Sequence, residues 1–257
     1  MDINSLHERN LIALPQKEQG FAWLLSHGPL VSDPPLPMPV LRALVADRRV
    51  LRLRRGLYLV PTAEARLPAL ATTINLADPD GYISGHGALM LLGLNDQDIS
   101  EWYSVTPRRQ GDLEYGVFKV HFVYSPTRAA TGSRTSATIG GDSIVLATAA
   151  QALLDEVDLM PFGLDYAETG RVLRNALEGD KVTESEIVDL VRERGSVAAA
   201  RRLGFLVEVA SGRENRNLLA IAQAHSGMTR LTSDCVAEWK WRLYLPQVRD
   251  SIVRASR

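Results

Sequence analysis

The chain has 257 residues, 46% of them apolar and 23% charged, with a formal net charge of −1. That composition excludes wholesale disorder and allows one large domain or two ordinary ones with a sizeable core. Near-neutrality argues against a general affinity for nucleic acid or membrane surfaces. Cys235 is the only cysteine, which excludes an intrachain disulfide framework and Cys-based zinc clusters. The opening MDINSLHERN is polar and charged, so no signal peptide is expected, and no apolar run approaches the ~20 residues of a membrane span. A cytoplasmic protein without membrane contact is expected.

In chain order, Gln16–His27 reads as a helix through the apolar spacing of Phe21, Leu24 and Leu25, with Gly28 placed to end it. A second helix is predicted from Pro39 to about Asp47, with proline tolerated in its first turn and Leu41, Leu44 and Val45 facing inward. Val50–Val60, VLRLRRGLYLV, reads as a tight hairpin turning at Gly56. Helix, helix and a basic two-stranded ribbon together form the pattern of a winged helix-turn-helix. Pro29, Pro34, Pro35, Pro37 and Pro39 fill the place of its short middle helix, which is therefore expected to be reduced or missing.

Charge is unevenly spread over this plan. Residues 1–62 hold eight basic and five acidic side chains, a net of +3, which leaves 21 basic and 25 acidic for the rest. Six of the eight are arginines between Arg42 and Arg55, opposed there only by Asp47. Arginine suits bidentate contact to phosphate or guanine. The candidate DNA-binding residues are therefore Arg42, Arg48, Arg49, Arg52, Arg54 and Arg55. At 100° per residue, Arg42 and Arg49 point away from the apolar face and are assigned to the groove. Arg52, Arg54 and Arg55 are assigned to phosphates at the wing.

Beyond Pro61 the pattern is mixed, then mostly helical. Helix Arg66–Ala77 leads to a short strand, Tyr82–Ser84. Ser84 can cap a helix through Leu92, and Gly93 can stop it. Strands follow near Trp102–Thr106, Tyr115–Tyr124 and Ser143–Leu146, with the Ser/Thr/Gly-rich stretch Ser125–Gly141 expected as a mobile loop or loose hairpin. Helices Ala149–Val157 and Tyr166–Leu177 come next. A helix opened by a Thr183/Glu186 capping box, one capped by Ser196 and one over Asn217–His225 complete the chain. The fold class is α+β: a winged-helix domain over 1–62, then a larger α/β domain over 63–257 with a mostly helical C-terminal half.

Catalytic signatures are sparse. The five histidines lie apart, without metal-ligand spacing, and read as surface or satisfied core residues. Ser84-Gly85-His86-Gly87 lacks the glycine spacing of a nucleophile elbow, and Gly140-Gly141 lacks a phosphate-loop lysine. Glu238-Trp239-Lys240 has the Glu-x-Lys form of many metal-dependent nucleases, a short match frequent by chance. Asp155, Glu156 and Asp158 read as a solvated helix end. Trp239 and Trp241 read as core aromatics, with stacking on nucleic acid as the alternative. No catalytic residue, cofactor or metal is assigned.

Three stretches carry a resemblance. YISGHGALMLLGL (Tyr82–Leu94), following RRGLYLV (Arg54–Val60), resembles the AbiEi-type antitoxins of bacterial type IV toxin–antitoxin systems. VLATAAQALLDEVD (Val145–Asp158) and AARRLGFLVE (Ala199–Glu208) resemble two further landmarks of that family, in the same order. The resemblance implies a non-enzymatic antitoxin and transcriptional autorepressor. Its N-terminal domain would bind inverted repeats in double-stranded operator DNA. Its larger domain would counteract a nucleotidyltransferase-like toxin. The alternatives are a protein-binding antidote with a vestigial winged helix and a metal-dependent nuclease.

Overall fold

A computed structural model describes residues 15–27, 30–61, 67–139, 141–159, 166–230 and 235–246. The fold is mixed α+β. Its described residues divide into two compact units. The first takes those of Met1–Pro79, Leu113–Lys119 and Thr138–Ile144, and the second those of Asp80–Asp112, Val120–Ala137 and Val145–Arg257.

The first unit begins with α1 (Gln16–Ser26), β1 (Leu30–Ser32), α2 (Met38–Ala46), β2 (Leu51–Arg54) and β3 (Leu57–Leu59), followed by α3 (Leu67–Ala77). Gly28, expected to end α1, lies outside the described residues. No helix occupies Asp33–Pro37, as the proline run requires. The strands form a sheet of order β1-β3-β2, antiparallel throughout. Central β3 buries Leu57, Tyr58 and Leu59, because both of its edges are paired. Leu24 of α1, Val40, Leu41 and Leu44 of α2, and Val31, Val50, Tyr58 and Val60 make the core. Each helix thus lends one apolar stripe to a shared interior. β1 has no sequence signature of its own: three residues between prolines become a strand only through the edge that β3 offers.

The remaining elements are β4 (Tyr82–Ser84), α4 (Gly85–Leu91), β5 (Glu101–Thr106), β6 (Leu113–Tyr115), β7 (Phe118–Tyr124), α5 (Pro126–Thr131), β8 (Arg134–Ile139), β9 (Asp142–Ala147) and α6 (Ala149–Asp158). A six-stranded sheet has the order β6-β7-β5-β4-β9-β8. At its centre, β4 pairs antiparallel with β5 and parallel with β9. Two expectations are corrected here. Tyr115–Tyr124 is not one strand: Gly116, at φ 62°, turns the chain between β6 and β7. Of the two readings of Ser125–Gly141 the mobile loop is set aside: Pro126 opens a short helix, and β8 lies beside β9, the next strand, as in a hairpin, its threonines in an edge strand that tolerates polar side chains on both faces.

The helical half follows as α7 (Tyr166–Glu178), α8 (Glu184–Arg194), α9 (Val197–Ser211) and α10 (Arg216–Gln223). Its caps are those the sequence announces. Thr183 and Glu186 form a reciprocal capping box on α8, and Ser196 accepts the Ala199 N–H on α9. Asn215 caps α10, which starts at Arg216, one residue before the expected start. A small sheet of β10 (Thr229–Arg230), β11 (Cys235–Glu238) and β12 (Leu243–Pro246), ordered β10-β12-β11, was not anticipated.

Candidate nucleic-acid interface

Helix α2 is anchored on one side by Val40, Leu41 and Leu44. Its opposite side carries Met38, Arg42 and Ala46, all exposed and spaced four residues apart. Successive residues at that interval share one helical face. Among the described residues, no carboxylate lies within ion-pair distance of Arg42, and the helix sequence MPVLRALVA contains no acid. The Arg42 guanidinium therefore faces outward with its fork of donors unspent.

Arg48 and Arg49 lie beyond the helix, which ends at Ala46, so Arg49 does not extend the Arg42 face. Arg48, at φ 56°, is exposed and makes one long contact of 3.8 Å to Glu114. Arg49 turns back toward α1. Its two terminal nitrogens donate to Glu18 at 2.6 and 3.0 Å, and its guanidinium stacks 3.8 Å above the Phe21 ring. The hydrogen bond from Arg49 holds the Glu18 carboxyl below its usual range against partial burial. Beside it, Lys17 donates to Asp47 at 2.7 Å and lowers that carboxyl too. These two ion pairs clamp α1 to the turn that follows α2. Arg49 is thus a part of the clamp, a role that spacing alone did not reveal.

The β2–β3 hairpin presents Arg52 and Arg55 on its exposed side. The Arg54 side chain lies outside the described residues. The turn depends on Gly56, at φ 78°, whose missing side chain leaves room for the Asp33 carboxylate. The Asp33 N–H donates to the Gly56 carbonyl at 2.6 Å and ties the hairpin tip to the end of β1. Asp33 itself takes a positive φ of 41°.

The second unit holds a buried polar cluster. Asp155 is fully buried and accepts hydrogen bonds from Tyr82 (3.0 Å), Ser84 (2.7 Å), Arg128 (2.6 Å) and Gln151 (2.7 Å). Arg128 also bridges to Asp158. Burial pushes the Asp155 carboxyl up, against Ser84, Arg128 and Tyr82, which favour its ionised form. Ser84 occupies the N-cap position of α4 without capping it, because its hydroxyl goes to Asp155. Glu156 accepts from the His86 N–H at 2.8 Å and lies 3.3 Å from His86 Nδ1, while Nε2 faces the Glu101 carbonyl at 2.6 Å. Burial disfavours the charged imidazole, yet Glu156 and the Glu101 carbonyl outweigh it and raise the His86 pKa. Two acceptors opposite the two ring nitrogens call for two N–H donors, which only the imidazolium supplies. Asp155 and Glu156 are thus buried, not a solvated helix end.

Helix α9 joins the same interior. Arg202 donates to the Val157 carbonyl at 2.6 Å, near the C-terminus of α6. Arg201 donates to the Ala222 and His225 carbonyls and to Thr229, closing the end of α10. Gly204 leaves room for the buried Trp241 ring. The three stretches on which the family resemblance rests therefore meet, with Tyr82, Ser84 and His86 against α6 and Arg202 behind it. They do so as structural cement, in hydrogen bonds that face inward.

Trp239 and Trp241 part ways: Trp241 is buried, whereas Trp239 is 75% exposed at the tip between β11 and β12. Glu238 accepts the Trp241 N–H, and Lys240 is held by Glu208 and Glu214. Among the described residues, no group of three or more His, Cys, Asp or Glu side chains is arranged to hold a metal ion, and no helix is long and apolar enough to cross a membrane. Comparison with models of protein families and with curated proteins finds no match.

Proposed function

We propose that the first unit is a winged helix that binds double-stranded DNA, with α2 in the major groove and the β2–β3 wing on phosphates. The observation that carries this reading is the exposure, within one compact unit, of Arg42 on α2 and of Arg52 and Arg55 on the hairpin that follows it. The core that α2 shares with Val31 and Tyr58 of the β1-β3-β2 sheet supports it, since it fixes helix and hairpin to one base. Arg48 adds a fourth exposed guanidinium between helix and wing. Arg49 holds the scaffold and does not contact DNA.

The biological reading is an antitoxin and autorepressor of a type IV toxin–antitoxin operon, binding inverted repeats upstream of its own gene in the cytoplasm. It rests on the resemblance of Tyr82–Leu94, Val145–Asp158 and Ala199–Glu208. Binding of the full chain to duplex DNA from upstream of its gene, measured by anisotropy over a range of salt, tests the DNA-binding part. Affinity that falls with salt and is selective for that duplex is the expected result. Absence of salt-dependent binding would overturn it and favour a protein-binding antidote. Growth rescue of cells expressing the neighbouring toxin gene tests the antitoxin part.

A further inference from the structure

We infer that Met38 reads the 5-methyl group of thymine in the major groove, beside a guanine held by Arg42. The inference rests on the DNA-binding reading and names the sequence class that α2 would select. Met38 is one of the few large apolar side chains that the described residues leave exposed, at 47%, and it stands in the first turn of α2. Nothing in the core claims it, since Val40, Leu41 and Leu44 take the inward positions. The half-exposed Met38 lies one turn from the exposed Arg42 and makes no part of the core of the unit.

Position and chemistry both suit a methyl contact. Met38 and Arg42 are four residues apart, which puts them on one face about 6 Å apart along the axis, a little under two base steps. Arg42 matches the two acceptors of guanine, whereas thymine is the base that offers a methyl group in the major groove. An unbranched, polarisable thioether adapts to such a methyl without fixed geometry. Ala46, four residues further along, is exposed and small, so the stripe lies close to the groove floor. With Arg49 committed to Glu18, base readout by this face falls to Met38 and Arg42.

The test uses the full chain and duplexes selected by it from a pool with a randomised centre. In the selected duplex each thymine is replaced in turn by deoxyuridine, which lacks only the 5-methyl group. At one thymine about two base pairs from a required guanine, uridine is expected to weaken binding by about threefold to fivefold. Met38→Ala is expected to abolish that penalty, while Met38→Leu, which keeps apolar reach, retains most of it. Equal binding to every uridine duplex, or an unchanged penalty in Met38→Ala, would overturn the inference while leaving DNA binding in place. Salt-dependent binding without selection of any sequence would do the same. Failure to bind any duplex at low salt would overturn the DNA-binding reading itself.

Discussion

At the scale of single residues, the strongest constraints lie in the buried cluster of the second unit. Asp155→Ala removes one of the two carboxylates on Arg128, which keeps Asp158, and strips buried Tyr82, Ser84 and Gln151 of their acceptor, at an expected cost of about 1–3 kcal/mol or more. Urea denaturation of the two proteins measures it. His86 sets a pH dependence. Its pKa is raised in the folded chain above the ordinary value near ~6.5, so the stability it contributes is complete below that value and is lost as pH rises through the folded pKa. The melting-temperature gap between wild type and His86→Gln is therefore expected to narrow from mildly acidic to alkaline pH. A constant gap would show that folding leaves the His86 pKa unchanged. Gly204→Ala drives a methyl into the Trp241 ring and is expected to cost about 1–3 kcal/mol.

At the scale of elements, the hairpin and the clamp make separable predictions. Gly56→Ala forces a side chain onto φ 78° and against Asp33. A destabilisation of about 1 kcal/mol or more is expected, together with weaker DNA binding. Arg52→Ala with Arg55→Ala leaves the fold intact and removes charge. If each contacts a phosphate, each loss flattens the plot of log K against log salt by about 0.9, with equal effects on specific and random duplexes. Arg42→Ala is expected to act otherwise, costing about 1–3 kcal/mol on the selected duplex and little on random DNA. Glu18→Gln releases Arg49 and deletes a negative charge, so it is expected to tighten binding and steepen the salt plot.

For the whole molecule, a net charge of −1 means that affinity depends on where charge is placed. Four described arginines of the first unit (Arg42, Arg48, Arg52 and Arg55) are exposed. If Arg48, Arg52 and Arg55 each neutralise a phosphate while Arg42 reads a base, the salt slope is about −2.7 per chain. Titration of the full chain against duplex at several salt concentrations checks this figure. A slope near zero would place these arginines away from DNA.

Local sequence signals determined much of the helical half and the α1–α2–hairpin order. Thr183 with Glu186, Ser196, and the alternation of Val50–Val60 act within a few residues, where capping and turn geometry are decided. The proline run likewise excluded a helix before α2, because proline removes a donor and crowds the preceding turn. Pairings across long separations had no such signal. Strand β1 exists because β3 has a free edge, and β10 likewise pairs with β12 across 14 positions. Arg49 and Glu18 stand 31 positions apart, and Tyr82 and Asp155 stand 73 apart. Charge and periodicity show which way a side chain leaves its own helix, but not what will meet it there. Arg49 therefore read as a groove residue and Asp155 as a solvated one. Tertiary packing set an opposite charge on the first and enclosed the second.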